Sequence, residues 1–296
     1  KIVPIVTDIQ TSTYAEQGLT EEAAAFELLN AERSRCGFGT LRQNAALDKA
    51  AKAHADWQNL NGYLDHLETP EAPNGFTGFG PSDRIVAAGY GTPGDVTDEI
   101  AGRRVAYGEV SKNGFGIAGV RSLLNAPFHM AGLVVGYRDI GLAVRTSSEV
   151  GTNYGRVLLQ ANLAYLHTTP RQELSDKDVL TYPCDGTTGT DYELTHESPN
   201  PVPGRDLRAN PLGGSVFVLL RSGHVLTITS ATIIQVNGSN VPLRMPAVAY
   251  RGLANEGYIV ADAPLLPNTQ YEVVINGTNN GVPFTRQFTF TTGTGG

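Results

Sequence analysis

Apolar residues recur at helical spacing near the start of the chain and at alternate positions in its last third. Thr20 followed by Glu21 and Glu22 reads as an N-cap with an acidic first turn. Ala25, Phe26, Leu28 and Leu29 then form an apolar stripe, and the helix stops near Gly37. Asn44 to Leu64 predicts a second helix, with Leu47, Ala50, Ala51, His54, Ala55 and Leu60 on one side and Gly62 near its end. Residues 70–93 shift to Gly, Pro and Phe, which predicts a long ordered loop. Ala118 to Leu124 predicts a short helix, and Pro127 starts or interrupts the next turn. Gly132–Gly136, Asp139–Val144 and Val157–Tyr165 read as strands, short apolar runs of the kind found in a sheet covered by helices.

After Tyr165 the texture changes to Thr, Pro, Asp and Gly, and from Gly214 onward strand patterns alternate with turn signals. Ser215–Leu220, His224–Thr229, Thr232–Val236, Gly257–Ala261, Gln270–Ile275 and Thr285–Thr291 are the predicted strands. Phe284, Arg286, Phe288 and Phe290 alternate at period two, and Asn237-Gly238 and Asn276-Gly277 read as hairpin turns. Both Asn-Gly pairs also open glycosylation sequons, for which the turn is the preferred reading. The division expected is an arm at 1–19, a first domain at 20–167, a linker at 168–199 and a second domain at 200–296. Helices before strands point to an α+β first domain, and the short strands after the linker to an all-β immunoglobulin-like sandwich.

A length of 296 residues is long for one domain and agrees with two. A net charge of −7 with no basic cluster argues against a nucleic-acid partner. No stretch approaches the ~20 apolar residues that span a bilayer, and the first residues lack the pattern of an intact signal peptide. Cys36 and Cys184 are the two cysteines, too few for a Cys-rich zinc knuckle. They read either as buried thiols or as one disulfide, and the adhesin-like second half favours the disulfide. The familiar Gly-x-Ser-x-Gly, His-Glu-x-x-His and phosphate-loop motifs are absent, and Gly114-Phe-Gly-Ile-Ala-Gly119 lacks the preceding strand that a dinucleotide site needs, so it reads as a flexible loop.

An ordered series of short signals carries more. Leu29-Asn30-Ala31-Glu32-Arg33, Asn44-x-x-Leu47 with Ala51 and His54-Ala55, Asp65-His66, Asp83-Arg84, Ala88-Gly89-Tyr90, Asp98-Glu99-Ile100, Asn125-Ala-Pro-Phe-His129 and Asp139-Ile-Gly-Leu-Ala-Val144 follow one another. In this order they resemble the CAP superfamily of cysteine-rich secretory, antigen 5 and pathogenesis-related proteins (the SCP domain), bacterial branch. Pro264-Leu-Leu-Pro-Asn-Thr-Gln-Tyr271 likewise resembles bacterial Ig-like domains. The first resemblance implies an α-β-α sandwich with an open cleft, in which His66 and His129 match the family's two histidines and Glu99 its acid. Phe128 stands where the family has Gly, and Arg121 and Ser122 occupy the region of the second acid, which has no counterpart.

Two imidazoles and a carboxylate with an open position suit Zn²⁺, so His66 and His129 are the candidate metal ligands and Zn the candidate cofactor. His54, on the apolar stripe of its helix, reads as a core residue. Asp83 and Arg84 read as an internal salt bridge, and Glu32 and Arg33 as structural. The expected protein is a secreted or envelope-associated binding module whose cleft, lined by His66, Glu99 and His129, takes a lipid, glycan or protein, with the Ig-like domain as spacer or adhesion unit. The rivals are a metal-assisted hydrolase with Glu99 as general base and a structural envelope protein with a vestigial cleft.

Overall fold

The computed structural model describes residues 3–148, 153–244 and 252–294. The ends of the expected arm and second domain, 1–2 and 295–296, lie outside the described residues. The chain forms two compact units: Lys1–Ser34, Gly39–Leu123 and Gly132–Gln172 make the first, and Arg35–Phe38, Leu124–Ala131 and Glu173–Gly296 the second.

In chain order the first elements are α1 (Thr20–Cys36), β1 (Arg42–Gln43), α2 (Ala45–Asn61), α3 (Pro81–Ala87), β2 (Pro93–Ala106), α4 (Phe115–Asn125), α5 (Pro127–Val134), β3 (Asp139–Ser148) and β4 (Tyr154–Leu166). The sheet of the first unit runs β1-β3-β4-β2, with β1 parallel to β3 and the other pairs antiparallel. The Asn44 side chain accepts the Ala46 and Leu47 N–H groups, and Gly62 at φ 74° ends α2. Successive β4 residues face opposite ways. Leu158 packs with Ala51 and Ala55 of α2, whereas Leu159 lies against Gly119 of α4, where an added Cβ would stand 2.9 Å from it. Helices therefore cover both faces of the sheet.

Four expectations change here. Residues 3–19 are not a loose arm: Val6 N–H donates to Gln172 at 2.7 Å, and Tyr14 is fully buried. The predicted loop at 70–93 contains α3, and β2 was hidden because its polar sequence has no apolar alternation. The predicted strand at 132–136 is the end of α5 and the turn after it, since a five-residue apolar run has no period that separates helix from strand. The glycines of Gly114-x-Gly-x-x-Gly enter α4 and allow close packing; a Cβ at Gly116 would stand 2.0 Å from the Glu21 carbonyl oxygen. Arg33 is fully buried and structural, as expected: it donates to the carbonyls of Gly39, Leu133 and Val135, and burial lowers its pKa to about 9.

The second unit contains β5 (Leu180–Tyr182), β6 (Thr187–Thr190), β7 (Ser215–Leu219), β8 (Leu226–Gln235), β9 (Leu243–Arg244), β10 (Glu256–Ala261), β11 (Gln270–Asn279) and β12 (Val282–Thr292). They form two four-stranded sheets, β5-β7-β10-β9 and β6-β12-β11-β8. Val216, Val218 and Ile259 from one sheet share a core with Ile233, Val273, Ile275, Phe288 and Phe290 from the other, which makes a sandwich. The stretch 168–199, expected as a linker, contributes β5 and β6, one strand to each sheet. Thr181, Tyr182 and Thr187 are buried there despite the Pro- and Thr-rich composition. Asn276-Gly277 is a bulge inside β11 rather than a turn; the hairpin closes at Asn280-Gly281, both with positive φ.

Cys36 and Cys184 form a disulfide with Cα atoms 5.5 Å apart, both within the second unit. Among the described residues no helix is long and apolar enough to cross a membrane. The bond closes a span of 148 residues, for which chain entropy gives a stabilisation of about 5 kcal/mol before strain. A Cys36→Ser/Cys184→Ser double variant is expected to lower the thermal midpoint and the denaturant midpoint. Unchanged midpoints would show that the cross-link constrains little.

Candidate functional site

The loop after α2 and the start of β2 bring a buried polar cluster together in the first unit. Asp98 and Glu99 are consecutive on β2, so their side chains leave opposite faces of the sheet. Asp98 shares its face with its cross-strand partner Asn162 and with Gln160, whereas a Cβ at Gly132 would stand 1.7 Å from Glu99 Oε1 on the other face. His66 Nδ1 lies 2.9 Å from Asp98 Oδ1, so the structure brings Asp98, and not its neighbour Glu99, into hydrogen-bond contact with the Nδ1 of the first predicted histidine. The His66 side chain is 47% exposed and that of Asp98 only 3%. Thr97 Oγ1 donates to Glu99 at 2.9 Å.

Asp98 is held from several elements. Arg84 Nη2 on α3 donates to Oδ2 at 2.9 Å, Gln160 Nε2 on β4 at 3.1 Å, and His54 Nε2 on α2 stands 3.8 Å away. Arg84 thus turns to Asp98 and not to Asp83, as adjacent positions on a helix do not face each other; Asp83 instead accepts the Gly80 N–H. His54 is buried as expected, but in a polar setting: Nδ1 is 3.0 Å from Glu68 Oε1 and Nε2 3.0 Å from the Asp65 carbonyl. Both neighbours are acceptors, which only a ring donating from both nitrogens satisfies. Glu68 also accepts the Thr77 N–H at 2.6 Å, the Thr77 hydroxyl at 3.0 Å and the Gly78 N–H at 3.3 Å, which pins the loop from 68 to 78 against α2.

These contacts set the charges. The hydrogen bond to Asp98 raises the His66 pKa, against the opposing effect of partial burial, and the negative charges of Asp98, Glu99 and Asp65 add to the rise. Burial pushes Asp98 up, but the His66 bond and the positive charges of His66, Arg84 and His54 outweigh it and hold the carboxyl below its ordinary range. Burial likewise opposes Glu68, which its bonds to His54 and Thr77 nevertheless hold low. Asp98 and Glu68 are the residues that sequence reasoning missed as site members. Alternation along β2 would have separated Asp98 from Glu99 had that strand been recognised.

His129, on α5, belongs to the second unit. Its Nδ1 lies 2.8 Å from Oε1 of Glu197, whose side chain is fully buried while that of His129 is 16% exposed. Burial raises the Glu197 pKa, opposed by the His129 bond and by the charges of His129 and His196. Glu197 was also missed, as its Pro-rich neighbourhood reads as linker. Among the described residues no group of three or more His, Cys, Asp or Glu is placed to hold a metal ion.

No protein-family model matches the chain, and no curated protein matches it. Among solved structures, an outer surface protein from Borrelia burgdorferi is similar to it at 16% identity and a TM-score of 0.37, over 53% of this chain and 96% of that one.

The His66–Asp98 pair fixes a pH dependence. The raised His66 value stabilises the fold fully below the unfolded His pKa of about 6.5, and that contribution is lost as pH rises through the higher folded value. The depressed Asp98 value contributes above about pH 4 and is lost as pH falls through the folded value. His66→Gln is therefore expected to destabilise most near pH 6 and least in the alkaline range. Asp98→Ala, which strands Arg84 and His54, is expected to cost about 3–5 kcal/mol. Denaturant melts at several pH values check both, and a pH-independent His66→Gln effect would contradict the pairing.

Proposed function

We propose that this chain is an extracytoplasmic, non-enzymatic binding module of the CAP type, with its second unit an Ig-like spacer or adhesion domain. In this reading the ligand is received beside His66 in the first unit, and His129 is read, within the second unit alone, as a separate ligand-facing residue. Glu99 leaves the opposite face of the sheet from Asp98 and serves the site through its charge. The observation that carries the reading is the setting of His66: a half-exposed imidazole held by a buried carboxylate, in a stretch from the end of α2 through the following loop that exposes apolar side chains. Leu60, Tyr63, Leu64, Leu67, Phe76 and Phe79 are all exposed. Single exposed apolar residues need no explanation, but a concentration of them beside one oriented polar group is what recognition of a partly apolar ligand requires. The disulfide supports a location outside the reducing cytoplasm.

Of the lipid, glycan and protein classes, the apolar side chains favour a lipid. Phosphatidylcholine vesicles containing a sterol are the probe, with binding read by co-sedimentation. Wild type is expected to bind, Leu64→Ser/Phe79→Ser to weaken binding at least tenfold, and His66→Ala to weaken it less. Equal binding by wild type and the double variant would overturn the lipid reading. Ester hydrolysis by wild type that disappears in His66→Ala would overturn the non-enzymatic one in favour of a hydrolase.

A further inference from the structure

We propose that Glu197 is a positioning residue for His129: its buried carboxylate takes the Nδ1 proton and makes Nε2 the lone-pair nitrogen of the ring. The 2.8 Å contact places Oε1 on Nδ1, and an ionised carboxylate can only accept there. A neutral ring that donates from Nδ1 carries its lone pair on Nε2, and a carboxylate behind the ring increases the basicity of that nitrogen.

Both partners are anchored within the second unit. Asn125 Nδ2 donates to the Glu193 carbonyl at 2.8 Å, and Leu194 exchanges backbone hydrogen bonds with Leu212 at 2.8 and 3.2 Å. The Phe128 ring meets Tyr258 edge to face at 5.4 Å between centroids. The residues on either side of the pair are therefore fixed to the same body, and the geometry does not depend on a mobile surface side chain.

Stability alone does not account for Glu197. Its Oε2 is buried without a well-formed hydrogen bond among the described residues, although the adjacent Ser198 N–H lies near enough to the carboxylate to favour its ionised form. A buried carboxylate with one oxygen unsatisfied opposes folding, and a neutral side chain of the same size would fit at lower cost. Residues that break this rule concentrate where a site requires them. Asp98, in the first unit, has three close donors and no such deficit.

The inference rests on the proposed function only in treating His129 as a ligand-facing residue, and its test contains no ligand. Full-length protein labelled with ¹⁵N-histidine is examined by long-range ¹H–¹⁵N correlation near pH 8, where an ordinary imidazole is neutral. The His129 signals are identified by their loss in His129→Gln. Wild type is expected to show the Nδ1–H tautomer, Glu197→Gln to retain it through its amide oxygen, and Glu197→Ala to move to the Nε2–H form. An Nε2–H tautomer in wild type would overturn the proposal outright, whether or not any variant folds. A lowered thermal midpoint in Glu197→Ala with the tautomer unchanged would reduce Glu197 to a structural residue and overturn it as well.

Discussion

Burying the Asp98 carboxylate is the constraint to which the polar interior of the first unit is fitted. Removing a carboxylate from water costs several kcal/mol even after relaxation, and the cost is offset only when its lone pairs meet donors in good geometry. Here the donors arrive from separate elements: His66 from the loop after α2, Arg84 from α3 and Gln160 from β4, with His54 of α2 at longer range. Each donor brings its own requirements. His54 needs Glu68 and the Asp65 carbonyl, and Glu68 needs the N–H groups of Thr77 and Gly78. One buried charge thus dictates the path of about twenty residues that have little regular structure of their own.

The same network explains why the loop is ordered while its surface is apolar. Its order comes from hydrogen bonds to backbone and carboxylates inside, which leaves side chains such as Leu64, Leu67 and Phe79 free to face outward. A loop held by its apolar residues would have buried them. The network is not fully satisfied, since Gln58 Oε1 and Asn162 Nδ2 lack partners among the described residues. Both lie beside Gln160 on the face of Asp98, and Arg84 Nε on α3 is likewise buried without a hydrogen bond among the described residues.

The sequence was legible where local chemistry decides the structure. Asn44 and Gly62 bracket α2 with a cap and a left-handed stop, and the period-two run at Phe288 and Phe290 lies in β12 with both rings in the sandwich core. It was illegible where long-range pairing decides. β2 is an edge strand rich in Asp, Glu, Arg and Gly, held in place by register with β4 over most of its length. Because that strand could not be read, neither could the alternation that sends Asp98 to His66 and Glu99 to the opposite face. The stretch 168–199 failed for a similar reason: β5 and β6 are short edge strands that exist because β7 and β12 offer them partners. The CAP and Ig-like resemblances are compatible with helices on both faces of one sheet and with a two-sheet sandwich, and the finer assignments remain part of the proposal.

The two histidine–carboxylate pairs are built on opposite electrostatic principles. Asp98 is surrounded by donors and positive charge, which outweigh its burial and hold its carboxyl below the ordinary range. Glu197 is buried with one close side-chain partner, and the burial outweighs the His129 bond and the His129 and His196 charges and pushes its carboxyl up. The linkage signs follow. Asp98 contributes stability above its unfolded pKa and loses it on acidification, whereas Glu197, with its raised folded value, holds its proton more firmly in the fold and loses that contribution as pH rises. The first arrangement uses a histidine to complete a network that would otherwise lack a donor. The second keeps a carboxylate whose one close side-chain partner is the histidine, which places the reason for Glu197 in the state of the His129 ring.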